Sequence, residues 1–260
     1  TLLPVAGVKV AVIGLTTPET AEVVKAGSLG NLTFADPITS ARKALSDGTA
    51  SGASVFVALA HIGGSGGEHP SGPIVDLARE APGFDLVIGA HTHTQVNTLI
   101  NGVPVIETRS QGLEYFRVRM KYDFATRTVV ERTVELVTPS ADTVNPDATV
   151  VAMLAPYKTE LAARLDGPIG TTTGTFERGN NVERLQEVPL GNLVADSIRV
   201  RYQTDFAFVN GGGLRAPIPS TYAPANHVLR RPAQGYAGGP PWDVVIGDAY
   251  AVLPFGNAAV

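Results

Sequence analysis

Apolar residues recur along this chain as short β-branched runs separated by stretches of helical period. Val8 to Leu15 (VKVAVIGL) is one such run, followed by Thr16-Thr17-Pro18-Glu19, and together they predict a strand leading into a helix start. Asp36-Pro37 opens a predicted helix through Ala44, and Val55 to Ala60 (VFVALA) predicts a second strand that ends on His61. A helix from about Val75 to Glu80 precedes a third strand, Phe84 to Ile88, which ends on Gly89-Ala90-His91-Thr92-His93. Strands alternating with helices predict α/β layers. Thr98 to Val105, Tyr115 to Tyr122 and Thr128 to Val137 lack a helical period and predict closing antiparallel strands around an Asn101-Gly102 turn.

The polar stretch Ser140 to Asn145 precedes Pro146, and beyond it Val151, Leu154, Tyr157, Leu161 and Leu165 share one helical face. This predicts a linking helix with Asn145 as N-cap, Pro146 in its first turn and Gly167 beyond its end. A helix from Leu190 to Arg201 and a strand from Phe206 to Val209 follow, and the Pro/Gly/Ala-rich stretch Pro217 to Pro241 predicts a long irregular excursion.

The 260 residues suffice for one or two domains, and 44% hydrophobic against 17% charged residues excludes a largely disordered chain. A net charge of −4 supplies no basic surface for a polynucleotide, while a few local arginines would still serve a small anion. The absence of cysteine excludes disulfides and thiolate metal sites, so a metal would rest on His, Asp, Asn or Glu. No run of 18 apolar residues is present to form a transmembrane segment.

Two predicted strands end on histidine, and ligands of α/β sheets sit outside the carboxyl ends of strands. His61 precedes Ile62-Gly63-Gly64, whose small residues leave its imidazole uncovered; His91 and His93 sit two apart, where extended backbone would aim both to one side. Neutral imidazoles suit zinc and similar divalent ions. His69 and His227 fall in loop-like segments, and Asp76, Asp85 and Glu107 match no metal motif.

Ala58-Leu59-Ala60-His61-Ile62-Gly63, Ile88-Gly89-Ala90-His91-Thr92-His93-Thr94 and Asn101-Gly102-Val103-Pro104-Val105 resemble segments of the calcineurin-like metallophosphoesterases, specifically the 5'-nucleotidase family. Leu190-Gly191-Asn192-Leu193-Val194-Ala195-Asp196, Asn210-Gly211-Gly212-Gly213-Leu214-Arg215 and Leu253-Pro254-Phe255-Gly256-Asn257 are similar, in order, to signature segments of that family's substrate domain. The resemblance implies an α/β and α+β architecture: the C-terminal part of a layered α/β/β/α phosphoesterase domain in residues 1–140, a linker helix in 141–167, and a truncated mixed α/β substrate-binding domain in 168–260.

It further implies hydrolysis of nucleoside 5'-monophosphates at two divalent ions, zinc, manganese or similar, with His61, His91 and His93 as ligands. Nucleotide would be held by Arg184, Asn210, Arg215 and Phe255. The family's Asp-x-His segment, bridging Asp and Gly-Asn-His segment do not occur before Val8, and its second stacking aromatic would lie beyond Val260, so the chain is expected to be an incomplete copy with no catalytic residue of its own and no complete metal site. Relatives acting on 2',3'-cyclic nucleotides, 3'-nucleotides or nucleotide sugars share these motifs, and a non-catalytic nucleotide-binding module is the alternative of a different class. The resemblance also implies export to the periplasm, cell surface or medium.

Overall fold

The computed structural model describes residues 1–140, 144–178 and 182–255. They form two compact units, Thr1–Asn145 and Pro146–Val260.

In the first unit, β1 (Leu2–Val5), β2 (Val8–Thr16), α1 (Thr20–Val23), α2 (Pro37–Ala50), β3 (Val55–His61), α3 (Pro73–Glu80) and β4 (Leu86–Ile88) follow in order. β5 (Val96–Ile100), β6 (Val103–Glu107), β7 (Tyr115–Asp123) and β8 (Thr128–Val137) complete it. One six-stranded sheet has the order β1-β2-β3-β4-β6-β5, with β2, β3, β4 and β6 parallel and both edge strands antiparallel. The parallel register sets Thr16 beside His61, Leu59 beside Ile88 and Ile88 beside Ile106, so the carboxyl ends of four strands meet at one rim.

The strand composition explains the layering. Ile13, Ala58, Ala60 and Val87 are buried against Ala41 and Leu45 of α2 and Ile74, Val75, Leu77 and Ala78 of α3, which forms the main core. Such two-sided burial is why β3 and β4 are continuous apolar runs rather than alternating ones. The β7–β8 hairpin packs through Val129, Met120 and Tyr122 on Val8, Val10 and Val55. It is pinned by Tyr122 Oη donating to Ser54 Oγ (2.7 Å) and by an ion pair of Arg132 with Asp85. The expected Asn101-Gly102 turn joins β5 to β6, both residues at positive φ as a type I′ turn requires. The helix predicted to stop at Ala44 continues to Ala50, capped at its start by Asp36, whose side chain accepts from Thr39 N (2.7 Å).

The second unit contains α4 (Ala148–Leu165), β9 (Pro168–Thr172), α5 (Pro189–Tyr202), β10 (Trp242–Val245) and α6 (Ile246–Val252), with single 3₁₀ turns at Val182–Arg184 and Gly211–Gly213. Asp147, not Asn145, caps α4, its carboxylate accepting from Thr149 N and Val150 N, and Pro146 lies outside the helix. The helical period was legible, but no residue of α4 is buried, and Val151, Leu154, Tyr157 and Leu161 are all exposed. Phe206 to Val209 is not a strand: no other strand among the described residues pairs with it, and Phe206 and Phe208 lie exposed with their rings 5.6 Å apart.

Leu190 and Val194 of α5, Val188, Leu214 and Val252 make the small core of this unit. The 217–241 excursion has no regular element and is held by buried charge. Asp248 accepts from Ser220 N, Ser220 Oγ, Val245 N and both terminal nitrogens of Arg231 (2.5 and 2.7 Å), and Arg231 donates also to the carbonyls of Ser220, Tyr222 and Asp243. Tyr222 Oη donates to Asp166 (2.6 Å); its burial and this carboxylate push its pKa up to about 12. His227, expected as a solvated loop residue, bonds the Gly235 carbonyl (2.9 Å) and stacks on Tyr236.

Both partners of the Arg231–Asp248 pair are almost fully buried, so Asp248→Ala strands a guanidinium and is expected to destabilise the protein by about 3–5 kcal/mol. Asp47→Ala, which breaks an exposed pair with Lys43, is expected to cost under about 1 kcal/mol in the same urea titration. Burial alone would raise the Asp248 carboxyl, but Arg231, Val245 N–H and Ser220 outweigh it and hold its pKa below the ordinary value. A depressed folded pKa gives stability that is present above the unfolded value, about 3.9, and lost as pH falls through the lower folded value. Acid titration of the wild type should therefore show a stability loss below about pH 4 that is shallower in Asp248→Asn.

Candidate functional site

The rim of the first sheet collects the polar side chains of its strand ends. β3 delivers His61 directly, the loop after β4 delivers His91, and the turn after β2 delivers Glu19. That turn is anchored on His61: Thr17 N donates to the His61 carbonyl (3.0 Å), and the Thr17 carbonyl accepts from Thr20 Oγ1 (2.7 Å). The result is a chain of three groups. His61 Nε2 lies 3.2 Å from His91 Nδ1, and His91 Nε2 lies 3.0 Å from Glu19 Oε2.

With Glu19 as a carboxylate accepting a hydrogen bond from His91 Nε2–H, the His91 Nδ1 lone pair is turned toward His61. Two imidazole nitrogens on one tetrahedral ion stand about 3.3 Å apart at ordinary metal–nitrogen distances, so this pair has the spacing of two neighbouring ligands. Among the described residues no three His, Cys, Asp or Glu side chains gather as a full set of ion ligands. His61 and His91 thus fit part of a coordination sphere. The extended backbone expected through His91 and His93 is replaced by a tight turn, with φ at +93° and +55° respectively. Both are positive-φ positions in non-glycine residues, each costing on the order of 1–3 kcal/mol.

Backbone closeness, rather than flexibility alone, explains the glycines here. A Cβ on Gly63 would meet Thr92 side-chain atoms at 2.5 Å, one on Gly64 the Ser71 carbonyl at 2.7 Å, and one on Gly89 the Ile62 carbonyl at 3.0 Å.

In the second unit the two 3₁₀ turns press together. A Cβ on Gly211 would stand 1.8 Å from the Glu183 carbonyl oxygen, and one on Gly212 would stand 3.0 Å from Arg184 Nη1, so this run admits no side chain. Leu214, buried at the end of the run, and Arg215 N donating to the Val252 carbonyl (2.9 Å) bring Arg215 next to Phe255. The Arg215 guanidinium carbon sits 5.6 Å from the Phe255 ring centroid, and Phe255 is half exposed rather than a core residue. Asn210 closes the group, its side chain lying against Gly213.

Burial lowers the Arg215 pKa from its ordinary value, and the like charges of Arg178 and Arg184 lower it further, while Glu183 opposes them. Glu183 is buried and paired with Arg178 (2.8 Å). Glu187 accepts from Asn192 Nδ2 (2.7 Å), and no ion pair of Arg184 with Glu183 or Glu187 is formed among the described residues. Asp196 pairs with Arg199 on α5. A separate cleft of about 840 Å³ in this unit is lined by apolar residues including Phe176, Leu193, Ile198 and Val252. Its lining includes none of Arg184, Asn210, Arg215 and Phe255, so volume and chemistry do not coincide.

Glu19, Thr92 and Arg178 were missed from sequence, and Glu107 was noted there only as matching no metal motif. The signal for Glu107 was present: a carboxylate closing the apolar strand VPVIE occupies the same rim as His61 at the end of β3.

Residues 168–260 match the family model described as the 5'-nucleotidase C-terminal domain. The chain is 29% identical over 258 residues to the endonuclease YhcR of Bacillus subtilis, an alignment covering 98% of this chain and 19% of that protein. It is 25% identical to the cell wall protein Lmo0130 of Listeria monocytogenes, covering 96% of this chain and 33% of the other. The crystal structure of a 5'-nucleotidase precursor from Thermus thermophilus superposes with a TM-score of 0.75 at 25% identity, covering 99% of this chain and 49% of that one. The chain therefore spans less than half the length of each of these proteins. Residues 168–260 thus match the 5'-nucleotidase C-terminal domain, and the whole chain is similar in sequence to these relatives and in fold to a 5'-nucleotidase.

Proposed function

We propose that this protein serves the hydrolysis of nucleoside 5'-monophosphates to nucleoside and phosphate. Nucleotide is held by Arg184, Asn210, Arg215 and Phe255, and a divalent ion by His61 and His91 with His93 as a further ligand. The observation that carries this reading is the Arg215 guanidinium set 5.6 Å from the half-exposed Phe255 ring, with the Arg184 guanidinium lying against Gly212 of the glycine run that leads to it. A guanidinium fork matches phosphate oxygens. Phe255, half exposed and backed by Arg215, offers a face on which a base can stack. The glycine run between them lets the ligand approach the backbone closely.

In the first unit Glu19 holds the His91 tautomer and His61 stands beside the free nitrogen. Two ions bound by a full ligand set of this kind supply an activated water and a clamp on the phosphoryl oxygens. A small nucleotide suits the chain better than a polynucleotide because its net charge is −4.

A second reading, action on 2',3'-cyclic nucleotides, 3'-nucleotides or nucleotide sugars, draws support from the relative named an endonuclease. Arginines that grip phosphate oxygens do not by themselves distinguish a monoester from a diester. A non-catalytic nucleotide-binding module is supported by the partial ligand set. We place the protein outside the cytoplasm, at the cell surface or in the periplasm or medium, in keeping with the relative named a cell wall protein. Among the described residues no helix is long and apolar enough to cross a membrane.

Two measurements test these readings. In calorimetry, Arg184→Ala should weaken adenosine monophosphate binding about tenfold or more and leave adenosine binding unchanged, since a lost bond to a charged group is worth about 1.5–3 kcal/mol. Equal losses for the two ligands would remove Arg184 from the phosphate site. In a phosphate-release assay with adenosine monophosphate, whatever release occurs should require manganese or zinc and be abolished in His61→Ala. Nucleotide binding without any metal-dependent release would leave the binding module as the function.

A further inference from the structure

We infer that Glu107 is a positioning residue, the clasp that fixes the separation of His61 and His91. The inference rests on the reading of that histidine pair as ion ligands. Glu107 closes β6 and is 1% exposed, yet it is neither a predicted ligand nor one of the groups that meet the imidazoles. Its two oxygens go to two different loops. Oε2 accepts from Gly64 N (3.1 Å), three residues past His61, and Oε1 accepts from Thr92 N (3.1 Å) and Thr92 Oγ1 (2.8 Å), between His91 and His93.

The same two loops are joined directly by Ala90 N donating to the Ile62 carbonyl (3.1 Å) and by Thr92 Oγ1 against Gly64. The turn that Thr92 centres is the one with positive φ on both flanking histidines. Such a turn persists only where surrounding bonds over-determine it, and a buried carboxylate accepting two backbone N–H groups and a hydroxyl does so. A carboxylate suits this position because all its lone pairs accept; an amide nitrogen facing Gly64 N would oppose two donors.

The test uses the full chain, cobalt(II) alone as probe, and four proteins: wild type, Glu107→Gln, Glu107→Ala and Val105→Ala. Val105 is fully buried two residues earlier on the same strand and makes none of these side-chain hydrogen bonds, so it controls for general loss of stability. Visible absorption should show cobalt bound through imidazole in the wild type, with affinity falling about tenfold or more in Glu107→Ala, the size expected when a group behind a ligand is removed. Glu107→Gln should fall between, and Val105→Ala should keep wild-type affinity in spite of a lower Tm.

Imidazole ¹⁵N spectra of the metal-free proteins should show the His61–His91 contact in wild type and Val105→Ala and lose it in Glu107→Ala. Unchanged cobalt affinity and unchanged ring signals in Glu107→Ala would overturn the inference. No cobalt uptake by the wild type would instead overturn the ion reading, with the ring signals alone then deciding whether Glu107 holds the pair.

Discussion

A carboxylate taken out of water costs several kcal/mol unless its lone pairs are filled, and each unit of this chain is organised around one that meets this condition. In the second unit Asp248 gathers Arg231, Ser220 and the start of α6, and so fastens a stretch that has no regular structure to hold it. In the first unit Glu107 gathers the loops after β3 and β4. The apolar layers build the frame, but these acceptors decide where the loops on the frame come to rest. Without them the histidines and the irregular excursion would be tethered only at their ends.

This arrangement separates two chemical tasks. The strand-end rim of the first unit presents two oriented imidazoles, with Glu19 against the far nitrogen of His91. The glycine run of the second unit presents fixed positive charge beside an exposed aromatic ring. A nucleotide has the complementary parts: phosphate oxygens that suit both cations and guanidiniums, and a planar base that suits Phe255. The segment that matches the 5'-nucleotidase C-terminal domain contains Arg184, Arg215 and Phe255, in keeping with this division.

The strands and their order of appearance were legible because β2, β3 and β4 are short runs rich in β-branched and other apolar residues. His61 was legible as a site residue because it ends such a run. Glu107 was discounted although it ends another, because a carboxylate that accepts from backbone N–H groups leaves no motif of its own. The cap of α4 was misplaced by two residues, since Asn145 and Asp147 are both competent caps and only the hydrogen bonds to Thr149 N and Val150 N decide between them. Phe206 to Val209 has strand composition without a pairing partner, a fact that depends on distant sequence. Arg178 was missed because its place beside Arg215 depends on how two 3₁₀ turns meet, a packing relation with no local periodicity.

The central claim is that phosphate is held by the arginine cluster and base by Phe255. Arginine side-chain and aromatic NMR signals recorded during a titration with adenosine monophosphate test it most directly. The account predicts that the signals of Arg184, Arg215 and Phe255 shift together with one saturation curve, and that inorganic phosphate shifts the two arginines while leaving Phe255 in place. Saturable shifts confined to the residues lining the apolar cleft, with the arginine signals unmoved, would contradict it.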